Sequence, residues 1–339
     1  MTRKKVLVTG GAGFIGGNFV QYMVNKYKEY DIYNLDLLTY AGDLTKHRDI
    51  ETKENYHFVK ADIANRDTII PLFEKEKFDY VVHFAAESHV DRSITDPGVF
   101  VQTNVLGTQV LLEASKQVGV TKFIHVSTDE VYGELDFDPT TFFTEETSLQ
   151  PNSPYSASKA SSDLLVRAYH ETYDLPINIT RCSNNYGPYH FPEKLIPLTI
   201  SRVLNDQNVP VYGDGKNIRD WLHVIDHCAA IDLVMHMGLN GEVYNVGGHN
   251  ERTNLEVVKA IISTLGKSED LIEFVKDRLG HDKRYAIDPT KLEQLGWKPT
   301  YTFETGIAHT IQWYLDNKKW LEQIISGEYQ NYFEKQYSM

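Results

Sequence analysis

Cysteine, basic charge and long apolar runs are all scarce in this sequence, and each scarcity excludes something. Cys182 and Cys228 are the only cysteines in 339 residues. They are too few and too far apart for a disulfide framework and read as two buried thiols in a reducing compartment. No run of about 18 apolar residues is present to make a membrane-spanning helix. The basic start, MTRKKVLVTGGAG, meets glycines before any sizeable apolar stretch and does not read as a secretory leader. A cytoplasmic protein is therefore expected. Lysine and arginine total 34 against 47 acids, a formal charge of −13. That balance disfavours a nucleic-acid duplex or an anionic membrane as partner, since both attract basic patches. No internal repeat interrupts the chain.

What is present is a rhythm. At 41% hydrophobic residues the chain can bury one large core or two linked ones. The apolar runs KKVLVTG, IYNLD, YHFVKAD, YVVHFAA, KFIHVST and PINITRC alternate with amphipathic stretches near 15–28, 66–75, 97–118 and 153–173. Short strands buried on both faces and separated by helices predict an α/β fold with a doubly wound parallel sheet. After Cys182 the rhythm breaks into turns and prolines before more helix over 224–237 and a strand in GEVYNVGG. The boundary is placed near Ser183: a first domain over 1–183, rejoined around 221–248, and a smaller C-terminal α/β substrate domain formed mainly by 184–339.

VLVTGGAGFIGG follows the first strand and opens a helix, with glycines at 10, 11, 13 and 16. Such glycines permit a tight turn, close backbone approach to a pyrophosphate and close helix packing; the bare pattern is weak until its context is added. Asp36 ends the second strand about 20 residues on, where a carboxylate accepts from adenosine ribose hydroxyls. It would repel a 2′-phosphate, which favours NAD over NADP. Asp62 and Ile63 follow the third strand; Asp62 suits an adenine frame and a helix N-cap equally.

Tyr155 and Lys159 stand at i and i+4, on one face of a helix. An ammonium beside a phenol favours phenolate, making a usable base of a group with a pKa of about 10. Thr128 sits near the end of the fifth strand, where ligands of doubly wound sheets bind. It is followed by two acids, Asp129 and Glu130. Neighbours on a strand face opposite ways, so a site using both must have left strand geometry by Asp129. Taken alone, the acids read as a solvated turn and the Tyr/Lys pair as helix surface.

The motifs TGGAGFIG, LDLLTYAG, HFAAESHVDRSI, VSTDEVYGEL, PYSASKASSD, NNYGPYHFPEKLIP, NIRDWLHVIDHC and DRLGHDKRYAID occur in that order. Together they resemble the extended short-chain dehydrogenase/reductase family, and within it the dehydratases of nucleotide sugars, over essentially the whole chain. Gly17, where serine is common, and Leu279, where proline is usual, are small departures. The resemblance implies a Rossmann fold, NAD as cofactor, a homodimer and dTDP-glucose as substrate. Its product would be a 4-keto-6-deoxy sugar of the kind from which rhamnose and other deoxysugars are made. The nucleobase rests on resemblance alone.

By the same resemblance Gly10, Gly13, Phe14, Ile15, Gly16, Asp36, Leu37, Thr39, Asp62, Ile63, Phe84, Ala85, Ala86, Ser88, Thr103, Tyr155, Lys159 and Asn185 bind the cofactor. Ser88, Thr128, Asn184, Lys194, Leu195, Pro210, Tyr212, Arg219, Asn254, Asp277, His281 and Tyr285 bind the substrate. Thr128, Asp129, Glu130, Tyr155 and Lys159 are catalytic: Tyr155 and Lys159 with Thr128 for oxidation at C4, Glu130 as base at C5, and a protonated Asp129 as acid for the C6 hydroxyl. No metal is expected. Bland alternatives stay open for Thr103 as a core hydroxyl, Arg219 as a partner of Asp220, Asn254 as a helix cap, and Asp277, His281 and Tyr285 as a solvated loop. Rival readings on the same fold are a nucleotide-sugar 4-epimerase, a GDP-mannose dehydratase and a catalytically silent NAD-binding protein.

Overall fold

The structure, a computed structural model, describes residues 3–277 and 280–325. Leu279 lies outside them. The apolar runs form β1 (Lys4–Thr9), β2 (Tyr30–Asp36), β3 (Tyr56–Lys60), β4 (Tyr80–His83), β5 (Lys122–Thr128) and β6 (Ile177–Cys182). With β10 (Val243–Val246) they make a seven-stranded sheet in the order β10-β6-β5-β4-β1-β2-β3. Every pairing in it is parallel. The order reverses between β1 and β4, which opens a crevice at the carboxyl ends of the strands.

Both faces are covered, as uniformly buried β4, β5 and β6 require. Helices Phe14–Lys26 and Val224–Met237 pack on one face through Phe19, Met23, Ile231 and Val234. Helices Arg66–Glu76, Thr108–Val118 and Pro154–Tyr173 pack on the other through Phe73, Leu111, Leu112 and Val166. Removing one such side chain, as in Phe73→Ala, costs about 3–5 kcal/mol. Cys182 and Cys228 are free and buried.

Beyond β6 the chain leaves the large sheet. β7 (Asn184–Tyr186) pairs with β9 (Ile218–His223), which pairs in turn with β11 (Glu251–Thr253); β8 (Val209–Tyr212) pairs with β12 (Ile272–Val275). A separate core of Tyr186, Ile196, Trp221, Ile261, Ile307 and Tyr314 holds these pieces together. Between β9 and β11 the helix Val224–Met237 and β10 return to the large sheet beside β6.

The stretch 97–118, expected as one helix, is interrupted by a π-helical segment over Val101–Gly107. Tertiary demands explain the wide turn. Asn104 reaches Glu87 O at 3.0 Å and Ser158 Oγ at 2.8 Å, and a Cβ at Gly107 would come within 2.6 Å of Ile63. Such bulges favour functional sites. No helix among the described residues is long and apolar enough to cross a membrane.

Candidate active site

β1 delivers the chain into the glycine loop at Gly10, whose φ of +70° suits glycine. A Cβ there would sit 2.6 Å from Ala85 N, and one at Gly16 would sit 2.3 Å from Gly10 O. The helix that follows starts at Phe14 with Gly13 as N-cap and no side-chain cap, leaving its first N–H groups for an anionic ligand. At the end of β2, Asp36 accepts from Ala12 N at 2.9 Å and Leu38 N at 2.8 Å. Each carboxylate oxygen retains a second lone pair for a ribose hydroxyl. Asp62 accepts from Ala64 N at 2.8 Å, while Asn65 caps the helix Arg66–Glu76. The N-cap role weighed for Asp62 belongs to Asn65.

One cavity of about 590 Å³ runs from this loop past the ends of β4 and β5 into the smaller sheets. Every residue expected in the site lines it except Asp277. Asp277 lies behind His281, accepting from its Nδ1 at 2.6 Å.

β5 ends at Thr128, and Asp129–Tyr132 form a 3-10 turn, so the two acids leave strand geometry where a shared site requires it. The Thr128 hydroxyl accepts from Glu130 N and donates to Asp129 Oδ1, each at 3.3 Å. Asp129 is 1% exposed, and its Oδ2 is buried with no hydrogen-bond partner among the described residues. Burial, with the charges of Glu130 and Asp220 nearby, pushes its pKa well above the usual carboxylate range against the pull of Arg219. A carboxyl that holds its proton more tightly than usual and has one unsatisfied oxygen is suited to donate that proton to a bound group.

Opposite, the helix Pro154–Tyr173 starts at a capping box of Ser153 and Ser156, with Tyr155 in its first turn. Lys159 donates from Nζ to Val126 O at 2.8 Å. Burial lowers its pKa to about 8, partly offset by Asp163, which Arg181 holds at 2.9 Å. Tyr155 departs from expectation. Burial and the Glu130 carboxylate push its phenol well above 10, outweighing the hydrogen bond with Thr128. The lysine that should favour phenolate is spent on a backbone carbonyl, so the protein's own charges do not by themselves ionise Tyr155.

Arg219 and Asp220 are strand neighbours facing opposite ways. Arg219 donates to Asp282 O at 2.9 Å and stacks its guanidinium 4.2 Å over the Tyr285 ring, within the cavity. Asp220 accepts from Gly248 N and Asn250 N, both at 2.7 Å. Asn254 is not a cap: Thr253 caps that helix in a capping box with Glu256. Lys194 donates to Ser88 O at 3.2 Å, bridging two predicted segments. Sequence reasoning passed over Glu193, which also lines the cavity, and its partners Tyr40 and Arg92 behind it. Arg92 lies 3.8 Å over the Tyr40 ring, and both side chains bond Glu193. The adjacency of Glu193 to Lys194 in EKLIP was the available signal.

Fold and cavity together define a protein of the extended short-chain dehydrogenase/reductase class. Residues 7–310 match the model of the family described as GDP-mannose 4,6 dehydratase, and the chain belongs to that family. It is 54% identical to a dTDP-glucose 4,6-dehydratase of Xanthomonas campestris pv. campestris, over 95% of this chain and 96% of that one. Among solved structures, the dTDP-glucose 4,6-dehydratase of Bacillus anthracis in complex with NAD is 52% identical, with a TM-score of 0.88 over 95% of this chain and 99% of that one. The Streptomyces venezuelae dTDP-glucose 4,6-dehydratase with NAD bound is 46% identical, with a TM-score of 0.91 over 94% and 99%.

Proposed function

We propose that this chain is an NAD-dependent hydro-lyase that converts dTDP-glucose to dTDP-4-keto-6-deoxyglucose. One observation carries the reading beyond simple oxidation: a buried carboxyl with an unsatisfied oxygen and a second carboxylate share the turn that begins at Thr128, in the same cavity as Tyr155 and Lys159. Oxidation or epimerisation at C4 needs neither acid. The family is named for GDP-mannose, but the relatives at about half identity are dTDP-glucose enzymes. Asp36 supports NAD over NADP by repulsion of a 2′-phosphate.

The residues present fit a dinucleotide. Gly10, Gly13 and Gly16 form a cradle that a Cβ would fill, the helix N-terminus at Phe14 is uncapped, and Asp36 stands at the ribose end. Bound NAD⁺ would supply the hydride acceptor for C4 and, once reduced, the hydride donor for C6. Tyr155 takes the C4 hydroxyl proton, with Thr128 donating to the oxygen as it becomes a carbonyl. The ketone acidifies the C5 hydrogen, which Glu130 removes. Asp129 passes its proton to the C6 hydroxyl, and water leaves. Glu130 then returns a proton to C5. Two adjacent carboxyls are more easily held with one neutral than with both charged, which suits these opposite roles.

On this reading residues 1–183, with the return over 221–248, bind the cofactor, and the rest of 184–339 mainly binds the sugar nucleotide, Arg219 clamping the diphosphate. A homodimer is supported by Val99, Val101, Leu106 and Leu164, exposed apolar side chains on the stretch 97–118 and on the helix Pro154–Tyr173. A cytoplasmic location is supported by the two free, buried thiols. Incubation with dTDP-glucose and a trace of NAD⁺ tests the function through the alkali-induced absorbance of the 4-keto-6-deoxy sugar. Product from another nucleotide sugar, with none from dTDP-glucose, would overturn the substrate.

A further inference from the structure

Lys46 lies in the 3-10 turn Leu44–His47, which no motif above used. Asp43 caps this turn, accepting from Thr45 N at 2.9 Å. The turn lies across the glycine loop and bonds it repeatedly: Asp43 N donates to Ala12 O at 2.9 Å, Lys46 Nζ donates to Gly13 O at 2.8 Å, and His47 Nε2 is 3.3 Å from Gly17 O. From the far end of the chain Trp320 Nε1 donates to Asp43 Oδ2 at 2.8 Å. Both Lys46 and Trp320 line the cavity.

Lys46 is only 4% exposed, yet the hydrogen bond from its ammonium goes to a neutral carbonyl. Besides that carbonyl its Nζ faces the Tyr189 ring at 5.8 Å, and a buried cation matched by neutral partners is costly. Its pKa falls to about 8 because burial outweighs the charges of Asp43 and Asp36. A phosphate at the uncapped helix N-terminus beside it would supply the missing anion. Gly17 adds an independent observation. A Cβ there would approach Lys46 Cδ to 2.5 Å, so glycine at this position leaves room for the lysine stem.

We propose that Lys46 is a further cofactor-binding residue, which retains the dinucleotide by holding the turn Leu44–His47 over the glycine loop and by presenting its ammonium to the diphosphate. This rests on the dinucleotide reading of the cavity. Retention suits a reaction with no net redox change, in which the same cofactor serves every turnover.

The test compares wild type, Lys46→Met and Gly17→Ser, each loaded with NAD. The readouts are the rate of exchange against labelled NAD and the NAD retained per protomer after gel filtration. Methionine keeps the length of the lysine stem without the charge; serine at 17 leaves the charge but crowds the stem. Loss of a charge-assisted bond predicts release at least about tenfold faster in both variants, with circular dichroism unchanged. Unchanged release from folded Lys46→Met overturns the proposal. If that variant does not fold, unchanged release from Gly17→Ser overturns it in the same way. Wild type that takes up no NAD would overturn the dinucleotide reading itself, a result distinct from equal retention by all three proteins.

Discussion

The Thr128 hydroxyl donates to Asp129 Oδ1 at 3.3 Å and leaves Asp129 Oδ2 buried without a partner. The strand end thus prepares an acid whose second oxygen can be satisfied only by something that enters the cavity. That relationship costs stability, and the cost is measurable.

Asp129 should destabilise the folded chain at neutral pH. Its folded pKa is raised, chiefly by burial, whereas in the unfolded chain it ionises near 3.9. Between those two values the unfolded state has released a proton that the folded state keeps, so stability falls as pH rises through that window. Asp129→Asn removes the penalty. We expect it to stabilise the protein by about 1 kcal/mol at pH 7, with the gain vanishing below about pH 4. Thermal melts at both pH values check this; equal melting points at pH 7 would contradict a neutral, unsatisfied Asp129.

The first oxidation should speed up as pH rises. Tyr155 must lose its proton before it can act, and burial with the Glu130 charge holds its pKa up in the empty site. Single-turnover cofactor reduction should therefore increase with pH across the neutral range. Tyr155→Phe should lower it by roughly 10²–10⁴-fold, the usual worth of a general base. A flat profile, or a normal rate in the phenylalanine variant, would remove Tyr155 from the role.

Asp163 anchors the buried charges behind Lys159, receiving Arg181 Nε at 2.9 Å and standing 3.3 Å from His125 Nε2. Removing one partner of such a pair strands the other, so Asp163→Ala should cost about 3–5 kcal/mol in denaturant unfolding. A change under about 1 kcal/mol would mean that solvent screens the pair.

Asp36 is expected to set cofactor choice. Asp36→Asn keeps an acceptor for one of the two N–H groups, Ala12 and Leu38, that Asp36 receives on separate oxygens, and removes the charge that repels a 2′-phosphate. The NAD over NADP preference, measured as a ratio of dissociation constants, should shrink by about tenfold or more, roughly 1.4 kcal/mol. An unchanged ratio would place the discrimination elsewhere.

Much of this was legible because parallel strands buried on both faces must be apolar throughout. The runs ending at Thr9, Asp36, His83, Thr128 and Cys182 announced both the sheet and the edge where ligands gather. What escaped depends on contacts between segments distant in sequence. The π-helical turn at 101–107 follows from Asn104 reaching Glu87 and Ser158, which no local periodicity records. Tyr155 and Lys159 line one cavity, but their charge states are set first by burial, with Glu130, on another element, acting on Tyr155 and Asp163 acting on Lys159. Lys46 stayed invisible because its partner, Gly13, is 33 residues away.

Glu130→Gln offers the most direct test of the central claim that the turn after Thr128 adds dehydration to oxidation. The variant, loaded with NAD and mixed with dTDP-glucose, is followed by nicotinamide absorbance and by the 4-keto-6-deoxy product. The account predicts that reduced cofactor accumulates on the enzyme while product formation falls by roughly 10²-fold or more. Product at the wild-type rate, or loss of cofactor reduction with dehydration of a supplied 4-keto sugar intact, would contradict it.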